Sequence, residues 1–193
     1  MSDAFMAADG KPRCKWCGFA PEFLDYHDKE WGFPVRDDIR LFEKLCLEGF
    51  QSGLSWRTIL VKRENFRKAF DSFDFNKIAK YGDVDRNRLV NDAGIVRHKG
   101  KIEATINNAQ KALEMIEKEG SLANFFWGYE PKNHTNLQAA STSVESLAIS
   151  KELKKRGWKF VGPTTIYAFM QAMGLINDHA KYCVIREKVE ASK

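Results

Sequence analysis

The chain has 193 residues, 44% of them apolar, which is enough to bury one sizeable core and marks a globular protein. Lys and Arg number 31 against 26 Asp and Glu, and the resulting net charge of +5 permits a polyanionic partner without requiring one. No window reaches the roughly 18 to 20 apolar residues of a membrane span, and Met1 to Pro12 lacks a signal-peptide core, so a cytoplasmic protein with no membrane partner is expected.

Residues 1–12 read as a disordered tail. Cys14, Cys17 and His27 follow, amid a crowd of aromatics: Trp16, Phe19, Phe23, Tyr26, Trp31, Phe33 and Trp56. Core packing explains most such rings, yet several stand beside polar groups and turn residues, a placement that also suits a stacking pocket for a flat ring. Asp37 or Asp38 can cap a helix carrying Leu41, Phe42, Leu45 and Cys46, which is expected to end on Glu48 before Gly49. Asp83 can cap a short helix through Leu89 and Val90, ended by Gly94.

From Arg97 to Lys118 the residues Ile102, Ile106, Ala109, Leu113 and Ile116 trace one face of a helix closed by Gly120. Gly128 to Ser141 is polar, with Pro131, Asn133, His134 and Asn136, and predicts a long surface loop or flap. Thr142-x-x-Glu145 resembles a capping box opening a helix up to Gly157. In Phe160-Val161-Gly162-Pro163-Thr164-Thr165-Ile166 a glycine turn opens into a helix whose free N–H groups can hold a phosphate, with Pro163 harmless in the first turn. Lys154, Lys155, Arg156 and Lys159 can add electrostatic affinity, although a solvated face explains a charge run equally well. Residues 187–193 read as a second disordered tail. No alternating strand pattern and no internal repeat is present, so the fold class is all-α.

His179 and Cys183, four apart, can present both donors from one helix face. With Cys14 and His27 they make a soft, four-ligand set that describes a closed structural zinc site better than a catalytic one, although the spacing Cys14-x-x-Cys17 leaves Cys17 open as an alternative. Such an ion would tie the two ends of the chain together.

Several uncommon strings recur in order: Tyr26-His27-Asp28 with Glu30-Trp31-Gly32, Leu47-Glu48-Gly49 with Gly53-Leu54-Ser55-Trp56, Asp92-Ala93-Gly94-Ile95-Val96-Arg97-His98, and Lys154-Lys155-Arg156-Gly157 through Gly162. From about Arg13 to Cys183 the chain resembles the 3-methyladenine DNA glycosylase I family. The resemblance implies a helix-hairpin-helix glycosylase fold over 13–186, with a base pocket between two helical lobes. It also implies one structural zinc on Cys14, His27, His179 and Cys183, selecting Cys14 over Cys17. The implied activity is hydrolytic release of 3-methyladenine from alkylated double-stranded DNA, with free 3-methyladenine as the product ligand.

Carried over by motif, Trp16, Tyr26, Glu48 and Trp56 form the base pocket, with Glu48 as the catalytic group. Leu54 is the wedge that fills the gap in the duplex, and Gly162, Thr164, Thr165 and Lys159 meet the DNA. Phe23 stands where some relatives carry tyrosine, so a hydroxyl contact is lost. Asn177 takes the position of an aspartate that assists catalysis in relatives such as endonuclease III, and neighbouring Asp178 is a candidate substitute. A monomer is expected. The rival readings are a non-enzymatic zinc module that binds damaged DNA, and a zinc hydrolase of small molecules.

Overall fold

The computed structural model describes residues 4–132 and 138–193. A short antiparallel pair, β1 (Phe5–Met6) and β2 (Pro12–Arg13), leads into a 3-10 turn at Lys15–Gly18. The strand pair is absent from the hydropathy pattern because two residues are too few to alternate. Ten α-helices follow: α1 (Pro21–Lys29), α2 (Asp38–Gln51), α3 (Trp56–Ala69), α4 (Phe75–Ile78), α5 (Asp83–Asn91), α6 (Lys99–Glu119), α7 (Leu122–Trp127), α8 (Val144–Lys155), α9 (Pro163–Ala172) and α10 (Ile185–Glu190). The fold is all-α apart from that pair.

Helix α2 is the central element. Asp37 caps it by accepting the Arg40 N–H at 2.9 Å, and every residue from Leu41 to Phe50 is buried. The helix does not stop at Glu48. It continues to Gln51, with Gly49 inside it facing Phe160, where an added Cβ would lie an ordinary 3.4 Å from Phe160 Cβ. The last carbonyls of α2 are held from outside, since Lys101 of α6 donates to Phe50 O at 2.8 Å and Ser52 O at 2.6 Å. A buried cation at a helix C-terminus satisfies orphan acceptors and complements the dipole there.

Phe50, Phe66, Phe70 and Phe73 run as a ladder of ring contacts between α2 and the end of α3. Helix α9 packs across α2 and against α8, and α6 lies on α4 and α5. The Asp92–His98 string is a structural turn. Asp92 Oδ1 accepts from Gly94 N at 2.7 Å, His98 Nδ1 accepts from Lys101 N to cap α6, and Lys62 of α3 donates to Ala93 O and Gly94 O.

Besides the end of α2, and the strand pair that begins within residues 1–12 where the sequence reads as a disordered tail, three further expectations differ. Gly82, not Asp83, is the N-cap of α5, and its N–H donates to Asp85 at 3.2 Å. The cap of α8 is Ser143, which exchanges hydrogen bonds with Ser146, so the Thr142/Glu145 box does not form. The segment after Arg186 is not a loose tail: α10 seats Val189 in the core, and Lys193 donates to Leu175 O at 3.3 Å. Asn133, His134 and Asn136 of the expected loop lie outside the described residues. Among the described residues no helix is long and apolar enough to cross a membrane.

Candidate active site and metal centre

The 3-10 turn and helices α1, α2, α3 and α9 converge on a cavity of about 240 Å³. Its aromatic walls are Trp16, Tyr26, Trp31 and Trp56, and its polar groups are Glu48, Gln51 and Gln171. Tyr26 and Trp56 lie 5.2 Å apart between ring centroids, and Trp16 meets Trp31 edge-on at 5.1 Å. All four residues assigned to a base pocket from the sequence therefore line one cavity. Trp31, Gln51 and Gln171 join them. Trp31 stands in the same aromatic crowd, but nothing in its spacing separates a cavity wall from core packing.

Glu48 is only 6% exposed and sits inside α2, not in a solvated last turn. One helical turn earlier, Lys44 places Nζ 2.7 Å from Glu48 Oε1, donates to Tyr26 Oη at 2.8 Å and lies 3.4 Å from the Trp56 ring centroid. Lys44 is the functional neighbour that the sequence argument overlooked. Its signal was legible: a lysine stands on the apolar stripe of α2, where a charge is expensive unless paired. Burial holds the Lys44 pKa below its ordinary value, opposed by Glu48. Burial and the Glu48 charge together keep the Tyr26 phenol neutral.

A second cavity of about 270 Å³ shares Glu48, Gln51 and Ala168 with the first and extends to Gly53, Leu54, Thr164 and Thr165. Leu54 is 42% exposed in the turn between α2 and α3, where Gly53 adopts a positive φ of 79°. Gly162 caps α9 with extended backbone and no side-chain partner, and Thr164 is exposed in its first turn. Lys159 is exposed, while its backbone is clasped by Asn108 at both N–H and C=O. Arg156 is committed inside the protein, to Glu152 and Glu119 at 2.7 Å each.

Near the aromatic cavity, one donor atom each from Cys14, His27 and Cys183 falls within 4.8 Å of the others, all three residues being buried. His179 packs on His27 at 4.8 Å between ring centroids. Its Nδ1 meets Asn177 Oδ1 at 3.0 Å, while its buried Nε2 has no hydrogen-bond partner among the described residues. Burial, reinforced by His27, lowers the His179 pKa to about 4, so the ring is neutral and Nε2 carries a lone pair. His27 presents Nε2 3.6 Å from Cys183 Sγ, with Nδ1 against Asp28 at 2.7 Å. Contact with the Cys14 thiol lowers Cys183 to about 4, and the same contact raises Cys14.

Two thiols and an oriented imidazole are thus brought together as donors fit for a soft divalent ion, while His179, the fourth expected ligand, packs on His27 outside that group of three with Nε2 still unpartnered among the described residues. Cys17 is buried outside this group. Asn177 is engaged here, donating to Arg186 O and Glu190 as well as meeting His179. Asp178 is buried and accepts from Gln171 at 2.6 Å and from Gln138 N at 2.8 Å, so it supports a cavity residue from behind.

A scaffold that is all-α apart from one short strand pair, with an aromatic pocket lined by a buried carboxylate and an exposed apolar tip beside it, offers a flat, polar ring both stacking faces and a hydrogen-bond acceptor. The sequence model of the methyladenine glycosylase family matches residues 16–187, and the chain belongs to that family. It is 49% identical to DNA-3-methyladenine glycosylase 1 of Escherichia coli over 179 residues, covering 89% of this chain and 95% of the relative. It is 46% identical to the DNA-3-methyladenine glycosylase of Haemophilus influenzae, covering 89% and 96% of the two chains.

Among solved structures, a crystal structure of 3-methyladenine DNA glycosylase I superposes with a TM-score of 0.83 at 46% identity, covering 89% of this chain and 98% of the other. A variant of 3-methyladenine DNA glycosylase I in complex with 3-methyladenine superposes with a TM-score of 0.82 at 37% identity, over 87% and 94% of the chains.

Proposed function

We propose that this chain excises 3-methyladenine from alkylated double-stranded DNA, hydrolysing its bond to deoxyribose and leaving an abasic site. The observation that carries the proposal is the aromatic cavity in which Glu48 is flanked by Trp16, Tyr26 and Trp56 and which runs into the surface tipped by Leu54.

Taking a base out of the stack costs a few kcal/mol, and an aromatic platform returns roughly 1 to 3 kcal/mol per stacked base. The two terms nearly balance, so Leu54 as an apolar wedge in the vacated stack tips the equilibrium toward the extruded state. Helix α8, the turn 156–162 and α9 act as a helix-hairpin-helix element. The N-terminus of α9, with Gly162, Thr164 and Thr165, takes a backbone phosphate, and exposed Lys159 adds charge.

In the pocket, ionised Glu48 accepts from the exocyclic amino group of adenine and rejects the O6 of guanine. Methylation at N3 makes the base cationic, so it leaves without being protonated. Water forms a bond to C1′ as the C1′–N9 bond breaks, the electron pair passes to N9 and neutralises the departing base, and the attacking water's extra proton passes to solvent. Pocket electrostatics stabilise this charge migration with no covalent intermediate. Asp178 holds Gln171 from behind the pocket.

Cys14, His27, His179 and Cys183 would hold one structural Zn²⁺, which supplies cross-linking of the chain ends and no step of the reaction. Support comes from the unpartnered His179 Nε2 and from Asp28 and Asn177, which orient the two rings from behind. The protein acts as a monomer. Incubating the purified protein with alkylated DNA, with and without EDTA, and measuring released base tests the proposal. Release of 3-methyladenine in both conditions is expected. Binding without release would leave a damage-binding module, and complete loss in EDTA with the fold retained would make the metal catalytic.

A further inference from the structure

The features that would attract a positively charged base in this pocket are already engaged by a positive charge. A lysine ammonium carries three donors. At Lys44 one reaches Glu48 Oε1 at 2.7 Å and one reaches Tyr26 Oη at 2.8 Å, while the ammonium lies 3.4 Å from the centroid of the Trp56 ring. The last distance is close cation–π range. These three partners are residues assigned to base recognition. Lys44 is only 6% exposed, and the carboxylate it neutralises is equally buried, so solvent does little to screen the pair. The other charged groups acting on Lys44 are Glu30 and Arg63, which oppose one another as a bidentate ion pair.

We propose that Lys44 is a specificity-determining residue: a resident cation that leaves the base pocket electrically neutral, so that purines are selected by shape and donor pattern and not by positive charge. The class of bases that the pocket holds is thereby widened from cationic N-alkylated purines to neutral ones that present the same amino edge, while excision still requires the cationic leaving group. A carboxylate has lone pairs beyond the one that Lys44 uses, so Glu48 can still accept from an amino group while paired. The attraction that an unpaired Glu48 and an uncovered Trp56 face would add for a cation is cancelled by the ammonium between them. The inference rests on the base-pocket reading above.

The test compares two ligands on wild-type protein and on Lys44→Met, Lys44→Gln and Lys44→Arg. The probes are 3-methyladenine, whose free base is neutral at pH 8, and 3,9-dimethyladeninium, whose charge is permanent, both titrated by calorimetry. The readout is the affinity ratio of cation to neutral ligand within each protein, which cancels general losses of stability and the steric effect of the extra methyl. Lys44→Met is expected to raise the ratio by about tenfold or more over wild type, and Lys44→Arg to keep the wild-type ratio. Lys44→Gln, which retains a hydrogen-bonding end, is expected to match Lys44→Met and stands in for it if that variant does not fold. A ratio that rises by less than about threefold in the neutral variants overturns the role of Lys44. If folded wild-type protein binds neither ligand, the base-pocket reading itself falls.

Discussion

His27 Nδ1 lies 2.7 Å from Asp28 Oδ1, and the same carboxylate receives Arg13 Nε at 3.0 Å, so a guanidinium, a carboxylate and an imidazole are strung together behind the candidate metal centre. The chain of contacts fixes the ring so that Nε2 faces Cys183. Loss of such a supporting carboxylate costs about 10- to 100-fold in metal affinity. Asp28→Asn is therefore expected to release zinc to a competing chelator at correspondingly lower chelator concentration, Cys14→Ser to abolish zinc binding, and Cys17→Ser to leave zinc content unchanged. Zinc retained by Cys14→Ser but lost from Cys17→Ser would exchange the two thiols.

Glu48→Gln keeps the size of the side chain and removes its charge. Excision of 3-methyladenine is expected to fall by at least about tenfold, since a charge-assisted contact is replaced by an ordinary one. Removing one member of a buried ion pair costs about 3 to 5 kcal/mol, so thermal unfolding should also shift downward. Trp56→Ala is expected to weaken binding of the free base, read by titration. Wild-type excision in the first variant and wild-type affinity in the second would empty the pocket of its assigned role.

Leu54 and Lys159 separate the contributions of wedge and charge. Leu54 is a half-exposed tip in a turn, so Leu54→Ala should slow excision from duplex DNA while leaving affinity for free 3-methyladenine unchanged. The Lys159 backbone is fixed by Asn108 regardless of its side chain. Lys159→Ala should therefore reduce the slope of log K against log salt by about 0.9, the value of one phosphate contact. An unchanged slope would remove Lys159 from the interface.

Glu30 gives the acid limb of stability. Burial raises its pKa, but two hydrogen bonds and the charge of Arg63, with Arg40 nearby, outweigh it and leave the carboxyl below its ordinary value of 4.5. A carboxyl with a depressed folded-state pKa contributes stability that is full above the unfolded pKa and is lost as pH falls through the folded one. Glu30→Gln should be less stable than wild type at pH 7, and the difference should shrink progressively below about pH 4. Denaturant midpoints at pH 7, 5 and 3 would show it. A difference constant across that range would contradict the assignment.

The sequence made the long helices and the chemical groups legible, because a 3.6-residue apolar period and uncommon strings survive in one dimension. What it concealed were relations between distant segments. Gly49 reads as a terminator, yet it lies inside α2 against Phe160, more than a hundred residues away. Asn177 reads as a degraded catalytic position, yet it orients His179. Arg156 reads as part of a DNA-facing basic run, but two carboxylates take it inward. Val189 looks like the one large apolar residue of a loose end, and its burial depends on surfaces built elsewhere. Lys44 escapes notice for the opposite reason: its position on the buried stripe of α2 is visible in the sequence, but its partners Tyr26 on α1 and Trp56 on α3 are not.

Because Lys101 ties off the carboxyl end of α2, the helix and the turn beyond it are pinned to α6 as one stiff piece. With Leu54 as the proposed wedge, that piece would carry both the group that enters the duplex and, six residues earlier, the carboxylate that inspects what has left it. The helix would then work as a ruler: how far a nucleotide must swing to be read would be set by the spacing along one chain segment, before any lesion is met.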